Sequence, residues 1–221
     1  MADVTVAIRA AMQATSTIPI VMASSADALG SGLVTNLGHP GRNVTGLTIM
    51  LAEMSSKRLE LLKEAVPSVS RVAVLWSPAL PWHSEMLKAV DAAAPSLRLQ
   101  PVRVAVRSRS DFGNAFSEIA KARVDALFVS ETMTATARRQ LLDFAGKNRL
   151  STMFMNRDYV VAGGLMSYAP NFAATFREAA RYVDRILKGA RPGDLPVEQP
   201  TAFEFVINLK AAQTLGVQLP A

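Results

Sequence analysis

Short apolar runs recur along this chain between segments of helical period, and that alternation constrains the fold more than any other feature. It is the pattern of a parallel sheet with helices on its faces. Strands are expected near Ile18 to Ala23, Val44 to Thr48, Val72 to Trp76, Val102 to Val106, Ala126 to Ser130, Thr152 to Met155, Leu165 to Tyr168 and Phe203 to Leu209. Val102, Val104 and Val106 alternate with Arg103, Ala105 and Arg107, which suits an edge strand with one less buried face. Between the strands, Leu59, Leu62 and Val66 form an apolar stripe on a helix that Pro67 ends. Phe112, Phe116 and Ile119 repeat the pattern after Asp111, the expected N-cap. Phe172, Phe176, Ala180, Val183 and Leu187 share one face of a helix that begins after Asn171 and stops at Lys188 and Gly189. Arg191 to Pro200 then reads as an extended connector, because Pro192, Gly193, Pro196 and Pro200 disfavour helix and interior strand.

The order of these segments suggests two α/β lobes built from interleaved stretches. A little α/β structure precedes the Glu53 to Val66 helix, a nearly complete alternating unit follows to about Ala169, and one helix plus one strand close the chain. Periodicity leaves a single doubly wound domain open as the alternative. At 221 residues and 50% hydrophobic content, the chain has material for one large core or two modest ones.

Composition excludes several chemistries. Without cysteine there is no disulfide framework, thiol nucleophile or cysteine metal site, and with only His39 and His83 a histidine-rich zinc site is not expected. No metal or other cofactor is expected. The net charge of +6 comes from dispersed lysines and arginines that form no block, so nucleic acid is not the expected partner. No run approaches the roughly 20 apolar residues of a membrane-spanning helix. The opening MADVTVAIRAAMQATSTIPIV lacks a basic stretch, apolar core and cleavage site, so a signal peptide is expected to have been removed or the start not to be native.

Ligands of open parallel sheets bind beyond the carboxyl ends of the strands. The candidate ligand-binding residues there are Ser25 and Asp27 after the first strand, Trp76 after the third, and Ser130 and Glu131 after the fifth. Asn156, Arg157 and Asp158 follow the sixth, and Tyr168 borders the last long helix. Taken singly, the Ser, Asp and Asn positions also suit helix caps and turns. Together they offer carboxylate acceptors, a guanidinium fork and aromatic surfaces, a mixture fit for a zwitterion or polar metabolite. For Trp76, simple core burial is the competing reading. Enzymatic constellations are missing: there is no nucleophile elbow, no phosphate loop, and no catalytic residue is assigned. His39 lies in a His39-Pro40-Gly41 turn, and His83 is expected as a surface residue at a helix start.

These segments resemble, nearly end to end, the ABC transporter substrate-binding family that includes tryptophan- and other aromatic-amino-acid-binding lipoproteins. The resemblance rests on Thr17-Ile18-Pro19-Ile20-Val21, Pro40-Gly41-Arg42-Asn43-Val44-Thr45-Gly46 and Lys57-Arg58-Leu59-Glu60-Leu61-Leu62-Lys63-Glu64. It continues in Arg71-Val72-Ala73-Val74-Leu75-Trp76 and Gly163-Gly164-Leu165-Met166-Ser167-Tyr168-Ala169-Pro170-Asn171. The most diagnostic runs are Asp194-Leu195-Pro196-Val197-Glu198-Gln199-Pro200-Thr201 and Val206-Ile207-Asn208-Leu209-Lys210. Departures are small, such as Asp27-Ala28-Leu29 where the family often reads Asp-Pro-Val, except at the front, where members usually carry further strands.

The resemblance implies a type I periplasmic-binding fold, two Rossmann-like lobes with parallel sheets, the first lobe incomplete. Lobe 1 is expected over residues 1–53 plus 171–191, and lobe 2 over 54–170 plus 195–221. The implied function is capture of a small polar ligand, such as an amino acid, in the inter-lobe cleft by hinge closure. Partners would be that ligand and the permease and ATPase subunits of an importer, in an extracytoplasmic setting. For an amino acid, Arg157 or helix N-terminal amides would take the carboxylate, Asp27 or Glu131 the ammonium, and Trp76 or Tyr168 the side chain. The truncated lobe is expected to be mobile or buried by self-association in a homodimer, with ligand affinity impaired. Three rivals stand beside this reading: a small α/β enzyme such as a racemase or hydrolase, the effector lobes of a transcription regulator, and a non-functional remnant of a binding protein. No helix-turn-helix precedes the lobes to favour the second.

Overall fold

The protein was studied as a computed structural model that describes residues 1–80, 82–130 and 137–219. Its chain divides into two compact units and passes between them three times: Met1–Leu51 with Pro170–Phe203, and Ala52–Ala169 with Glu204–Ala221.

The first unit holds a three-stranded parallel sheet in the order β1 (Ala2–Asp3), β2 (Ile20–Ser25), β3 (Val44–Thr48). Every residue of β2 and β3 is buried, as a parallel sheet covered on both faces requires. The two-residue period of β2 divides its side chains between two cores. Ile20 and Met22 join Ile8 of α1 (Thr5–Ala14), Leu33, Val34 and Val44. Val21 and Ala23 join Leu47, Leu195, and Ala179 and Tyr182 of α7 (Phe172–Leu187). Gly46, at φ 124°, lets β3 lie against β2, since a Cβ there would sit 2.2 Å from the Met22 carbonyl oxygen. Leu195 to Pro200 is bound within this unit: Thr45 Oγ1 donates to the Leu195 carbonyl at 2.7 Å, and the Val197 and Glu198 amides donate to Leu37 and Gly46.

The ends of α7 match expectation. Asn171 Oδ1 accepts the Ala174 amide at 2.8 Å, and Gly189 takes a positive φ after Lys188. Its buried face differs from the expected one. Thr175, Ala179 and Tyr182 face the core, while Phe176 is 39% and Leu187 82% exposed. The apolar arc of this helix spans two neighbouring faces, and the face with small Thr175 and Ala179 lets it lie close on β2.

The second unit holds a six-stranded sheet in the order β5 (Gln100–Ala105), β4 (Arg71–Trp76), β6 (Ala126–Val129), β7 (Ser151–Phe154), β8 (Met166–Pro170), β9 (Phe203–Ile207), the pairs from β5 to β8 all parallel. β5 is the edge strand its alternation announced, with only Val104 fully buried. The helices are α2 (Leu51–Ala65), α3 (Trp82–Ala93), α4 (Phe112–Ala122), α5 (Arg138–Lys147), α6 (Arg157–Val161) and α8 (Leu209–Leu215). Leu75, Val129, Phe154, Phe112, Ile119 and Leu141 share one core. Asp111 stands at the N-cap of α4 as expected, but with helical backbone angles and no side-chain cap bond of its own; its carboxylate instead accepts the amides of Arg107 and Ser108 at 2.8 and 3.1 Å. A short 3-10 turn, Arg109–Asp111, leads into the helix, and Ser108 and Asp111 form a capping box at its start.

Candidate functional site

Strand register in the second unit sets out a site at the carboxyl ends of its sheet. Leu75 pairs with Val129, Phe128 with Met153 and Phe154 with Ser167. One residue beyond, Trp76, Ser130, Met155 and Tyr168 therefore fall on one row across β4, β6, β7 and β8. Leu75, Val129 and Phe154 face the shared core, so the next row turns to the opposite side of the sheet. Trp76 and Tyr168 are half-buried at either end of this row, and Ser130 and Met155 are buried between them. Tyr168 meets Phe205 edge-on with ring centroids 6.5 Å apart.

Two buried side chains hold the row from behind. Arg58 of α2 is wholly buried; its Nη2 donates to the carbonyls of Val129 at 2.6 Å and Met153 at 3.3 Å, and its guanidinium lies 4.3 Å from the centre of the Phe128 ring. His83 of α3 is also wholly buried, not a surface residue. The signal was present in the sequence, because His83, Met86, Leu87 and Val90 repeat at i, i+3, i+4 and i+7 and all four are buried.

The hydrogen bonds of His83 define its tautomer. The Ser77 amide donates to Nδ1 at 2.8 Å, so that nitrogen carries the lone pair. Nε2 therefore carries the proton of the neutral ring and points it at Ser130 Oγ, 3.1 Å away. Burial pushes the imidazole pKa down to about 4, so the neutral ring persists at physiological pH.

The remaining expected positions divide as follows. Asn156 caps α6, its Oδ1 accepting the Asp158 amide at 2.8 Å, and Asp158 is exposed. Arg157 is exposed and pairs with Glu204 at 3.6 Å. Glu131 lies outside the described residues. Ser25 and Asp27 belong to the first unit, where Ser25 is wholly buried with its hydroxyl directed to the Leu47 carbonyl at 3.4 Å. Asp27 Oδ1 accepts the Gly30 amide at 2.9 Å and closes a turn. The structure thus brings Trp76, Ser130 and Tyr168 together on one row, sets Asn156, Arg157 and Asp158 at the start of the helix after β7, and keeps Ser25 and Asp27 in the other unit. Among the described residues no group of three or more His, Cys, Asp or Glu is placed to hold a metal ion. No described helix is long and apolar enough to cross a membrane.

Comparison with known proteins places this geometry in context. The family model described as ABC transporter substrate binding protein matches residues 2–221. A tyrosine-binding protein of Clostridioides difficile (strain R20291) is 24% identical over 211 residues, which is 95% of this chain and 60% of that protein. A domain of Streptococcus pneumoniae solved in complex with L-Trp superposes with a TM-score of 0.90 at 26% identity, over 99% of this chain and 73% of that one. A conserved domain protein of Vibrio cholerae gives the same TM-score and coverage at 28% identity. The chain thus spans about three fifths of the curated relative it matches.

Proposed function

This chain belongs to the ABC transporter substrate-binding protein family, and from that premise we propose that it captures an aromatic amino acid and changes no bond in it. The observation that carries the proposal is the row at the sheet's carboxyl edge, in which half-buried Trp76 and Tyr168 flank buried Ser130 and Met155. Two aromatic faces and a thioether suit the flat side chain of tryptophan or tyrosine, and the hydroxyl supplies a directional polar contact. The relatives support the same ligand class, one being a tyrosine-binding protein and another a complex with L-Trp.

The proposal extends to mechanism. Ligand contacts made to both units at once favour their closure, and the closed form is what a permease and its ATPase would receive outside the cytoplasm. Three chain passages between the units are consistent with a hinge of several strands. Asp27 and Ser25 of the first unit, and Glu131, Asn156, Arg157 and Asp158 of the second, complete the proposed ligand set. Self-association through the first unit is part of the proposal, supported by the exposed Phe176 and Leu187 on α7.

The polarity of the His83–Ser130 pair supports binding over hydrolysis. A general base must present a lone pair to its serine, whereas His83 presents a proton. Isothermal calorimetry and thermal shift with L-tryptophan and L-tyrosine test the reading. Binding raises the melting temperature by mass action, and saturating amounts of both without heat or shift would overturn it.

A further inference from the structure

We propose that His83 is a positioning residue of the ligand site: by donating Nε2–H to Ser130 Oγ, it turns the Ser130 hydroxyl proton toward the carboxylate of the bound amino acid. The inference rests on the aromatic-amino-acid reading and adds the group that recognises the ligand's charged end.

The geometry leaves the serine little choice. The Ser77 amide is a donor only, which makes Nδ1 an acceptor and Nε2 a donor. Ser130 Oγ thus accepts a hydrogen bond from His83 and keeps its own proton to donate, and among the described residues no acceptor for that proton is found. Ser130 is 2% and His83 0% exposed, so bulk water does not compete for the pair. A buried donor without an acceptor is costly and becomes favourable when an acceptor arrives. The backbone on both sides is fixed: Ser77 follows β4, Ser130 follows β6, and Arg58 holds the Val129 carbonyl just before Ser130. The row places Ser130 between the two half-buried aromatics. In L-tryptophan the ammonium and the indole N–H only donate, so the carboxylate is the ligand's sole strong acceptor.

The test is a double-mutant cycle read by calorimetry with L-tryptophan, using the full chain. Ser130→Ala removes the donor. His83→Asn keeps an acceptor for the Ser77 amide but is too short to reach Ser130, and His83→Gln restores an N–H donor of greater reach. S130A and H83N are each expected to weaken binding about tenfold or more. The double variant is expected to bind no more weakly than S130A alone, because His83 acts only through that hydroxyl. H83Q is expected to recover most of the affinity. A purely structural role for His83 would instead add its loss to that of S130A, and either additivity or unchanged affinity in S130A overturns the inference. Should H83N fail to fold, the S130A and H83Q proteins decide alone: S130A at wild-type affinity, or H83Q as weak as S130A, overturns it. If the wild-type protein binds neither L-tryptophan nor L-tyrosine, the functional reading itself falls. Wild-type binding with an inert S130A removes only this inference.

Discussion

Among the described residues, acidification should destabilise the second unit chiefly through His83, over a defined window. The folded-state pKa is depressed to about 4 by burial, against 6.5 for a free imidazole. The unfolded chain therefore takes up the proton first as pH falls. Stability from the neutral ring is fully present above pH 6.5, is lost progressively below it, and stops changing once pH is below about 4. At about 1.4 kcal/mol per pH unit, the loss between pH 7 and 5 is about 2 kcal/mol, rising to about 3 kcal/mol near pH 4. Asp125 is held below the usual carboxylate range: burial opposes this, but the amides of Arg71 and Ser70 and the Ser70 hydroxyl outweigh it. Asp111 is lowered by the amides of Arg107 and Ser108. Both carboxylates act below pH 4, outside the histidine window. Urea unfolding at pH 7.5, 6 and 5 measures the effect, followed by the fluorescence of Trp76 and Trp82, the chain's two tryptophans. Both lie in the second unit, and Trp82 meets the His83 ring edge-on at 6.2 Å. The wild-type midpoint should fall with pH while that of His83→Asn stays nearly level. A level wild-type midpoint, or an equal slope in the variant, would refute the assignment of a buried neutral imidazole.

Other consequences are as direct. Gly46→Ala forces a methyl against the Met22 backbone at a positive φ and should cost about 2 kcal/mol or more, seen as a lower melting transition of the first unit. Arg58→Ala removes the donor to the Val129 and Met153 carbonyls and leaves a void over Phe128, for a loss of about 3–5 kcal/mol in urea titration. Arg58→Met fills that void and should lose less. Trp76→Ala and Tyr168→Ala should each weaken L-tryptophan binding about tenfold by calorimetry with little change in melting temperature, both side chains being half-buried. Leu187→Asp should shift sedimentation toward the monomer if the first unit self-associates, since Leu187 is 82% exposed and makes no core contact to lose.

The fold was legible wherever an apolar run of four to six residues had to become a strand buried on both sides, as at Val44–Thr48 and Ala126–Val129. The two-residue β1 was not, because so short a segment carries no period. Helix ends announced themselves through Asn171 and Gly189. The orientation of α7 did not, because Phe176 and Leu187 look more apolar than Thr175 and Ala179, and close approach to β2 outweighs apolarity there. For the candidate site, Trp76, Ser130 and Tyr168 were readable as strand-end residues, but their common row depends on the order β4-β6-β7-β8, which crossover connections conceal. His83 shows a different gap. Its helical spacing marked it as buried, yet only the partners Ser77 and Ser130 reveal which nitrogen holds the proton.

The threefold passage of the chain also orders its own assembly during synthesis. Ala52–Ala169 contains β4 to β7 and nearly all of β8 in one continuous stretch and can begin to condense as it leaves the ribosome. Helix α7 and the Leu195–Val197 segment, which complete the core around β2 and β3, are translated only after that stretch. Strands β2 and β3 must therefore wait with their apolar faces open until α7 is made, so the first unit, begun before the second, is finished after it and is the part more in need of a chaperone.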